Sequence, residues 1–233
     1  MLKEYVLENF YTEEEKDRIW REIQFLDSND YGWVYPDKHI NATTQNGEVL
    51  LQGAKQFYFS LLYGSYEDFS YPKSNIYTLG KKILSWIGTL CDKHDMYQSL
   101  YDVSHHNCVL NYYLEDKSKY KFHTDRSSFT MLSYFYKEPK NFTGGDLMVY
   151  DRKYEITNGF TIIIPSWMKH SSTPIHMIDK NKTQSGKYSI AHFFSVGASK
   201  NRHNLSDHCS YVTDNGKPQR YNFFKPEIKT INE

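Results

Sequence analysis

The stretch Tyr120-Lys-Phe-His-Thr-Asp-Arg-Ser-Ser-Phe-Thr-Met-Leu-Ser-Tyr134, read with Thr161-Ile-Ile-Ile-Pro-Ser-Trp-Met-Lys-His170, decides the fold of this chain. Both contain aromatic or β-branched runs of strand length, and both place histidine beside the run. In an extended backbone residues i and i+2 share a face, so His123 and Asp125 converge while Thr124 points away. His170 follows Thr161–Pro165, which reads as a buried strand. Two imidazoles and one carboxylate, from segments remote in sequence, become available to one centre.

Outward from that core the pattern stays the same. After Asp102, short aromatic and β-branched runs cover 105–114, 129–137, 146–150, 160–165 and 187–196. The breaks between them carry turn chemistry: Lys137-Glu-Pro-Lys-Asn, Thr143-Gly-Gly-Asp, Thr157-Asn-Gly and Ser185-Gly. Several short strands with regular turn signals predict a sandwich or barrel. The first hundred residues read differently. Glu4 to Phe10 suits a strand, and Thr12 with Glu15 makes a capping box ahead of Ile19, Trp20, Ile23 and Leu26 at helical spacing. From Asp27 to about Gly53 the chain is rich in Asn, Asp, Gly and Thr and reads as a long loop with room for a hairpin, of the kind that serves as a lid or a surface excursion. A second helical stretch after Ser74 places Ile76, Leu79, Ile83, Ile87 and Leu90 on one face. Helices first and strands afterwards predict a mainly β fold with supporting helices.

Bulk composition excludes several partners. Lys+Arg and Asp+Glu number 28 each, so no global field draws nucleic acid or an acidic membrane. The 21 tyrosines suit half-buried strands. Cys91, Cys108 and Cys209 are odd in number, far apart and without a C-x-x-C pair, which argues against a disulfide framework or a zinc ribbon. The opening lacks a signal peptide's apolar core, and no run approaches the roughly 18 apolar residues of a membrane span. A reduced, cytoplasmic setting is the expectation. His203, His208 and Cys209 lack matched spacing and read as surface residues.

Two imidazoles and a carboxylate can occupy one face of an octahedral ion and leave the other face open, an arrangement suited to Fe(II). With 10 histidines in the chain a His-x-Asp triplet arises readily by chance. The alternative is a solvated His123 and a strand-capping His170, so placement must decide.

The ordered series from Asn111 to Val196 resembles the double-stranded β-helix (jelly-roll, cupin-like) core of the 2-oxoglutarate- and Fe(II)-dependent oxygenases, in particular the prolyl 4-hydroxylase-like branch. The matching residues are Tyr113, His123-Thr-Asp125, Phe129 to Tyr134, Gly144-Gly-Asp-Leu, Pro165 to His170 with Thr173-Pro174, and Gly186-Lys-Tyr-Ser189. The opening Val6 to Glu15 resembles that family's strand-then-helix start. The resemblance implies a single oxygenase domain over 1–233: an N-terminal part with a lid loop (1–104), a jelly-roll core (105–196) and a C-terminal extension (197–233).

It also implies Fe(II) held by His123, Asp125 and His170, with 2-oxoglutarate and O₂ as co-substrates and ascorbate as an optional addition. Lys187 would meet the far carboxylate of 2-oxoglutarate. Lys180 has the family's more usual spacing from His170 but lies in a polar, loop-like segment. Tyr113, Tyr134 and Ser189 would complete the co-substrate pocket, each with aromatic or strand packing as its plain alternative. Trp167 and Phe122 read as packing residues. Aspartate at 125 favours hydroxylation over halogenation, and Phe193 stands where nucleic-acid demethylases of this type place a second arginine. The implied reaction is hydroxylation of an unactivated C–H, with a prolyl residue of a peptide or protein as leading substrate and a free amino acid or other small metabolite as alternative. Arg126, Tyr31 and Trp33 are the candidate substrate contacts. A non-catalytic cupin-like metal-binding module is the alternative from another class.

Overall fold

The computed structural model describes residues 4–29, 32–36, 48–59 and 74–196, and a separate strand pair, 211–212 with 218–219. Two antiparallel sheets carry the architecture. The larger runs, in spatial order, Tyr5–Val6, Thr161–Pro165, Phe129–Tyr136, Lys187–Val196, Val103–Tyr113, Ala54–Tyr58 and Trp33–Val34. The smaller runs Arg152–Tyr154, Leu147–Val149, His170–Ser172, Lys119–His123 and Leu51–Gln52. Sequence neighbours are repeatedly separated in space, as a double-stranded β-helix requires.

Side-chain alternation decides what lies on each face of the larger sheet. On one side Leu110, Tyr112, Met131, Phe135, Tyr188, Ile190 and Phe194 pack with the helices. On the other, Tyr113, Leu132, Tyr134 and Ala191 meet Leu147, Val149 and Leu51 of the smaller sheet. Both faces are covered, so every residue of Phe129–Tyr136 is buried. The expected mainly β fold with a helical support layer, built on a double-stranded β-helix, is the observed one.

The first helix spans Glu13–Asn29 and buries Ile19, Ile23 and Leu26. Its capping box is reciprocal: Glu15 N–H donates to Thr12 Oγ1 (3.2 Å), and Thr12 N–H donates to Glu15 Oε2 (2.8 Å). The second helical stretch is broken into Asn75–Gly80, a 3₁₀ segment Lys81–Trp86, and Ile87–Cys91. All five residues of its predicted apolar face are buried. A Cβ at Gly80 would stand 2.0 Å from His192 Cε1, so glycine is what lets this helix lie against the sheet.

Several expectations need correction. The N-terminal strand is only Tyr5–Val6. The 27–53 loop contains the end of the first helix and strands at Trp33–Val34 and Leu51–Gln52; residues 30–31 and 37–47 lie outside the described residues. Phe122 and Trp167 are not packing residues but stand 52% and 49% exposed. Phe122 turns out because His123, its neighbour in the strand, turns in. The expectations for Tyr31, His203, His208 and Cys209 fall outside the described residues. Among the described residues no helix is long and apolar enough to cross a membrane.

Candidate metal centre

Strand pairing sets His170 directly opposite His123 in the smaller sheet. The alternation of exposure continues past the end of the His123 strand, with Phe122, Thr124 and Arg126 out and His123 and Asp125 in. A backbone hydrogen bond from Asp125 N–H to Ser166 O (2.8 Å) holds that extension in place. One ligand atom from each of His123, Asp125 and His170 then lies within 4.8 Å of the others. His123 Nε2 is 3.6 Å from Asp125 Oδ1, and His170 Nε2 is 3.4 Å from Asp125 Oδ2. All three side chains are at most 11% exposed.

The ring nitrogens have divided roles. Nδ1 of His123 faces Lys121 O at 2.8 Å, and Nδ1 of His170 faces Met168 O at 2.9 Å. A carbonyl only accepts, so each Nδ1 carries the proton and donates it. Each ring therefore turns its Nε2 to the centre. Burial, reinforced by the neighbouring His170, pushes the His123 pKa down to about 4 and keeps that ring neutral. Tyr120 stacks on His123 with centroids 3.9 Å apart and fixes its plane. Two imidazole Nε2 atoms and a carboxylate converge on one point. That donor set fits a divalent cation, and its N₂O composition with one open face fits Fe(II).

Lys187 is fully buried. Its Nζ donates to Gly145 O (2.9 Å) and to Ser172 Oγ, and stands 3.9 Å from the centroid of the Tyr113 ring. Both hydrogen-bond partners are neutral. Desolvation pushes the Lys187 pKa down to about 7, against the pull of Asp146. Gly145 makes room for the side chain: its φ is +74°, and a Cβ there would stand 2.8 Å from Ile175 Cγ2 and 3.3 Å from Lys187 Cδ. Burial raises the Tyr113 pKa, against the opposing pull of the Ser189 and Ser172 hydroxyls. Tyr134 is buried on the same face, and burial, then Tyr113 and Asp125, raise its pKa well above the ordinary value. Register makes this cluster continuous, because Lys187 pairs with Tyr113, and Ser189 pairs with both Asn111 and Tyr134.

The structure thus gathers His123, Asp125, His170, Lys187, Tyr113, Tyr134 and Ser189 on the barrel's inner face. It does not bring in the remaining candidates. Lys180 is on the surface, bonded to Asp116 Oδ2 at 3.1 Å. Arg126 is exposed on the side opposite Asp125. Trp33 donates from Nε1 to Leu26 O (2.8 Å) and packs on Phe57 and Tyr112, which places it on the helix side of the sheet. It does so because Trp33 pairs with Phe57, whose ring turns away from the barrel. Sequence reading missed Ser172, Thr130 and Ser166. Ser172 had a usable signal, since it lies two residues beyond His170 and so shares its face.

Fold and site together define a double-stranded β-helix with a two-histidine, one-carboxylate centre. No protein-family model matches the sequence, and none of the curated proteins does. Among solved structures the fold is similar to that of a prolyl-4-hydroxylase from Pseudomonas putida, at a TM-score of 0.53 and 13% identity over 85% of this chain and 95% of that one. An oxidoreductase of the 2-oxoglutarate/Fe(II) oxygenase family from Burkholderia pseudomallei aligns at a TM-score of 0.46 and 14% identity, covering 82% and 84% of the two chains. At such identities the likeness is one of fold.

Proposed function

We propose that this chain is an Fe(II)- and 2-oxoglutarate-dependent dioxygenase that hydroxylates an unactivated C–H, with a prolyl residue of a peptide or protein as its substrate. The observation that carries this reading is the convergence of two imidazoles and a carboxylate on the same inner face as a buried lysine whose hydrogen-bond partners are neutral. The donors call for a cation. The ammonium calls for an anion, because an unpaired buried charge is costly.

His123, Asp125 and His170 would hold the iron. Lys187 would bind the far carboxylate of 2-oxoglutarate, with Tyr113 and Ser189 beside it. Ser172, which Lys187 touches, is two residues from His170 on the same strand, a step of about 7 Å. A short dicarboxylate suits that span. Bound there, Fe(II) and 2-oxoglutarate would activate O₂ and insert one oxygen into the substrate, with succinate and CO₂ as co-products. The protein's share is to fix the donor angles through the Lys121 and Met168 carbonyls and to exclude water with Leu132, Tyr134, Ile162 and Ile164. The similarity in fold to a prolyl-4-hydroxylase supports the prolyl substrate.

The test is turnover with Fe(II) and 2-oxoglutarate, with and without ascorbate, against proline-containing peptides and free amino acids. Succinate is measured together with the substrate's mass. A gain of one oxygen on a peptide supports the proposal. Oxygen gained only on a free amino acid moves the substrate to small metabolites. Metal binding without succinate from any mixture sinks the enzymatic reading in favour of a binding module.

A further inference from the structure

Behind Asp125 lies a line of hydroxyls that would touch neither iron nor co-substrate. Thr130 Oγ1 is 2.6 Å from Asp125 Oδ2, Ser166 Oγ is 2.8 Å from Thr130 Oγ1, and Ser127 Oγ is 2.6 Å from Ser166 Oγ. Thr130 and Ser166 are fully buried. The directions of these bonds follow from counting hydrogens. A carboxylate oxygen only accepts, so the single hydroxyl hydrogen of Thr130 goes to Asp125. Thr130 Oγ1 then accepts from Ser166, while the one hydroxyl hydrogen of Ser127 has two acceptors in reach, Ser166 Oγ and Phe129 O at 3.1 Å. The Thr130 and Ser166 dipoles both point towards the carboxylate, and bonds in such a series reinforce one another. The backbone closes the assembly: Asp125 N–H donates to Ser166 O, and Ser166 N–H donates to Ser128 O at 3.1 Å.

The two oxygens of Asp125 are therefore not equivalent. Oδ2 receives the Thr130 hydroxyl, whereas among the described residues no donor reaches Oδ1. The carboxylate torsion of aspartate is soft, so without this bond the group would turn freely. We propose that Thr130, backed by Ser166, is a positioning residue that pins Oδ2 and presents Oδ1 as the single ligating oxygen of Asp125. One-oxygen ligation leaves three of six octahedral positions open, whereas a two-oxygen grip would remove one of them. This inference rests on the metal centre proposed above.

The experiment is anaerobic titration of the full-length protein with Co(II), reading the apparent dissociation constant and the visible absorption spectrum, which reports coordination number. Thr130→Val keeps the shape and deletes the hydroxyl; Thr130→Ser keeps the hydroxyl and deletes the methyl. Thr130→Val is expected to weaken Co(II) binding about tenfold or more and to change the spectrum, with Thr130→Ser close to the parent and Ser166→Ala between them. Thr130→Val with the parent's affinity and spectrum overturns the proposal. So does Thr130→Ser weakened as much as Thr130→Val, because packing would then be the cause. If Thr130→Val fails to fold, Ser166→Ala decides by the same criterion. A parent protein that binds no Co(II) removes the proposed function itself, an outcome distinct from a parent that binds and variants that match it.

Discussion

The two faces of the seven-stranded sheet are buried to the same depth yet solve the problem of buried polarity in opposite ways. On the helix face the buried charge is matched, Lys55 Nζ lying 2.9 Å from Asp27 Oδ1, and the histidines stay neutral. His106 Nε2 meets His192 Nδ1 at 2.9 Å, and Cys108 Sγ lies 4.0 Å from His192 Nε2. Burial lowers the pKa of both histidines, that of His192 to about 3. On the barrel face Lys187 has only neutral hydrogen-bond partners, and His123, Asp125 and His170 converge with their ligand atoms within 4.8 Å of one another. Depth of burial is thus no guide to function. What distinguishes the working face is unbalanced charge and lone pairs held at fixed positions.

That contrast can be broken by substitution. Asp125→Ala should lower turnover by at least about 10³-fold, because the ion's charge stabilisation is lost with its ligand. The fold should persist, since the cation is bound after the barrel forms; loss of the circular dichroism spectrum would make Asp125 a structural residue instead. Phe194→Ala, on the helix face, should cost about 3–5 kcal/mol in denaturant unfolding and leave Co(II) affinity unmoved. An altered metal affinity there would show that the two faces are coupled.

The pH dependence sharpens the same comparison. Lys187 sits near pKa 7 when folded, against 10.5 for an unperturbed lysine. Between those values the unfolded chain holds more protons, so ligand-free stability should rise as pH climbs through that window and be flat below it. A bound carboxylate raises the lysine's pKa, so 2-oxoglutarate binding above pH 7 takes up a proton. Affinity should therefore fall by up to about tenfold per pH unit, measured by calorimetric titration of the metal-loaded protein. A flat profile would remove Lys187 from the co-substrate site. The smallest effect expected is that of Thr12→Ala, about 0.5–2 kcal/mol of stability from the lost helix cap, with ligand constants unchanged.

Legibility in the sequence followed the length of each element. The long strands at 103–113, 129–136 and 187–196 and the capped helix at 13–29 carry enough residues for periodicity to show. Of the three-residue strands, Leu147–Val149 falls in the legible run 146–150, whereas those at 142–144, 152–154, 170–172 and 175–177 do not show. Three residues are too few for any alternation to be read. Trp33 looked like part of a lid because aromatic residues in a polar stretch often are. Its pairing with Phe57 turns it instead to the helix side, and pairing is not a local property.

The sequence by itself determined the mainly β character, the positions of the principal strands and the parity that puts His123 with Asp125 and Lys187 with Ser189. Each of these follows from residue type and a period of two along one strand. Only the tertiary structure decided that His170 lies opposite His123, that Lys187 is the buried lysine while Lys180 stays on the surface, and that Thr130 and Ser166 stand behind Asp125. These are relations between strands remote in the chain. Register and desolvation decide them, and neither exists until the sheets have closed.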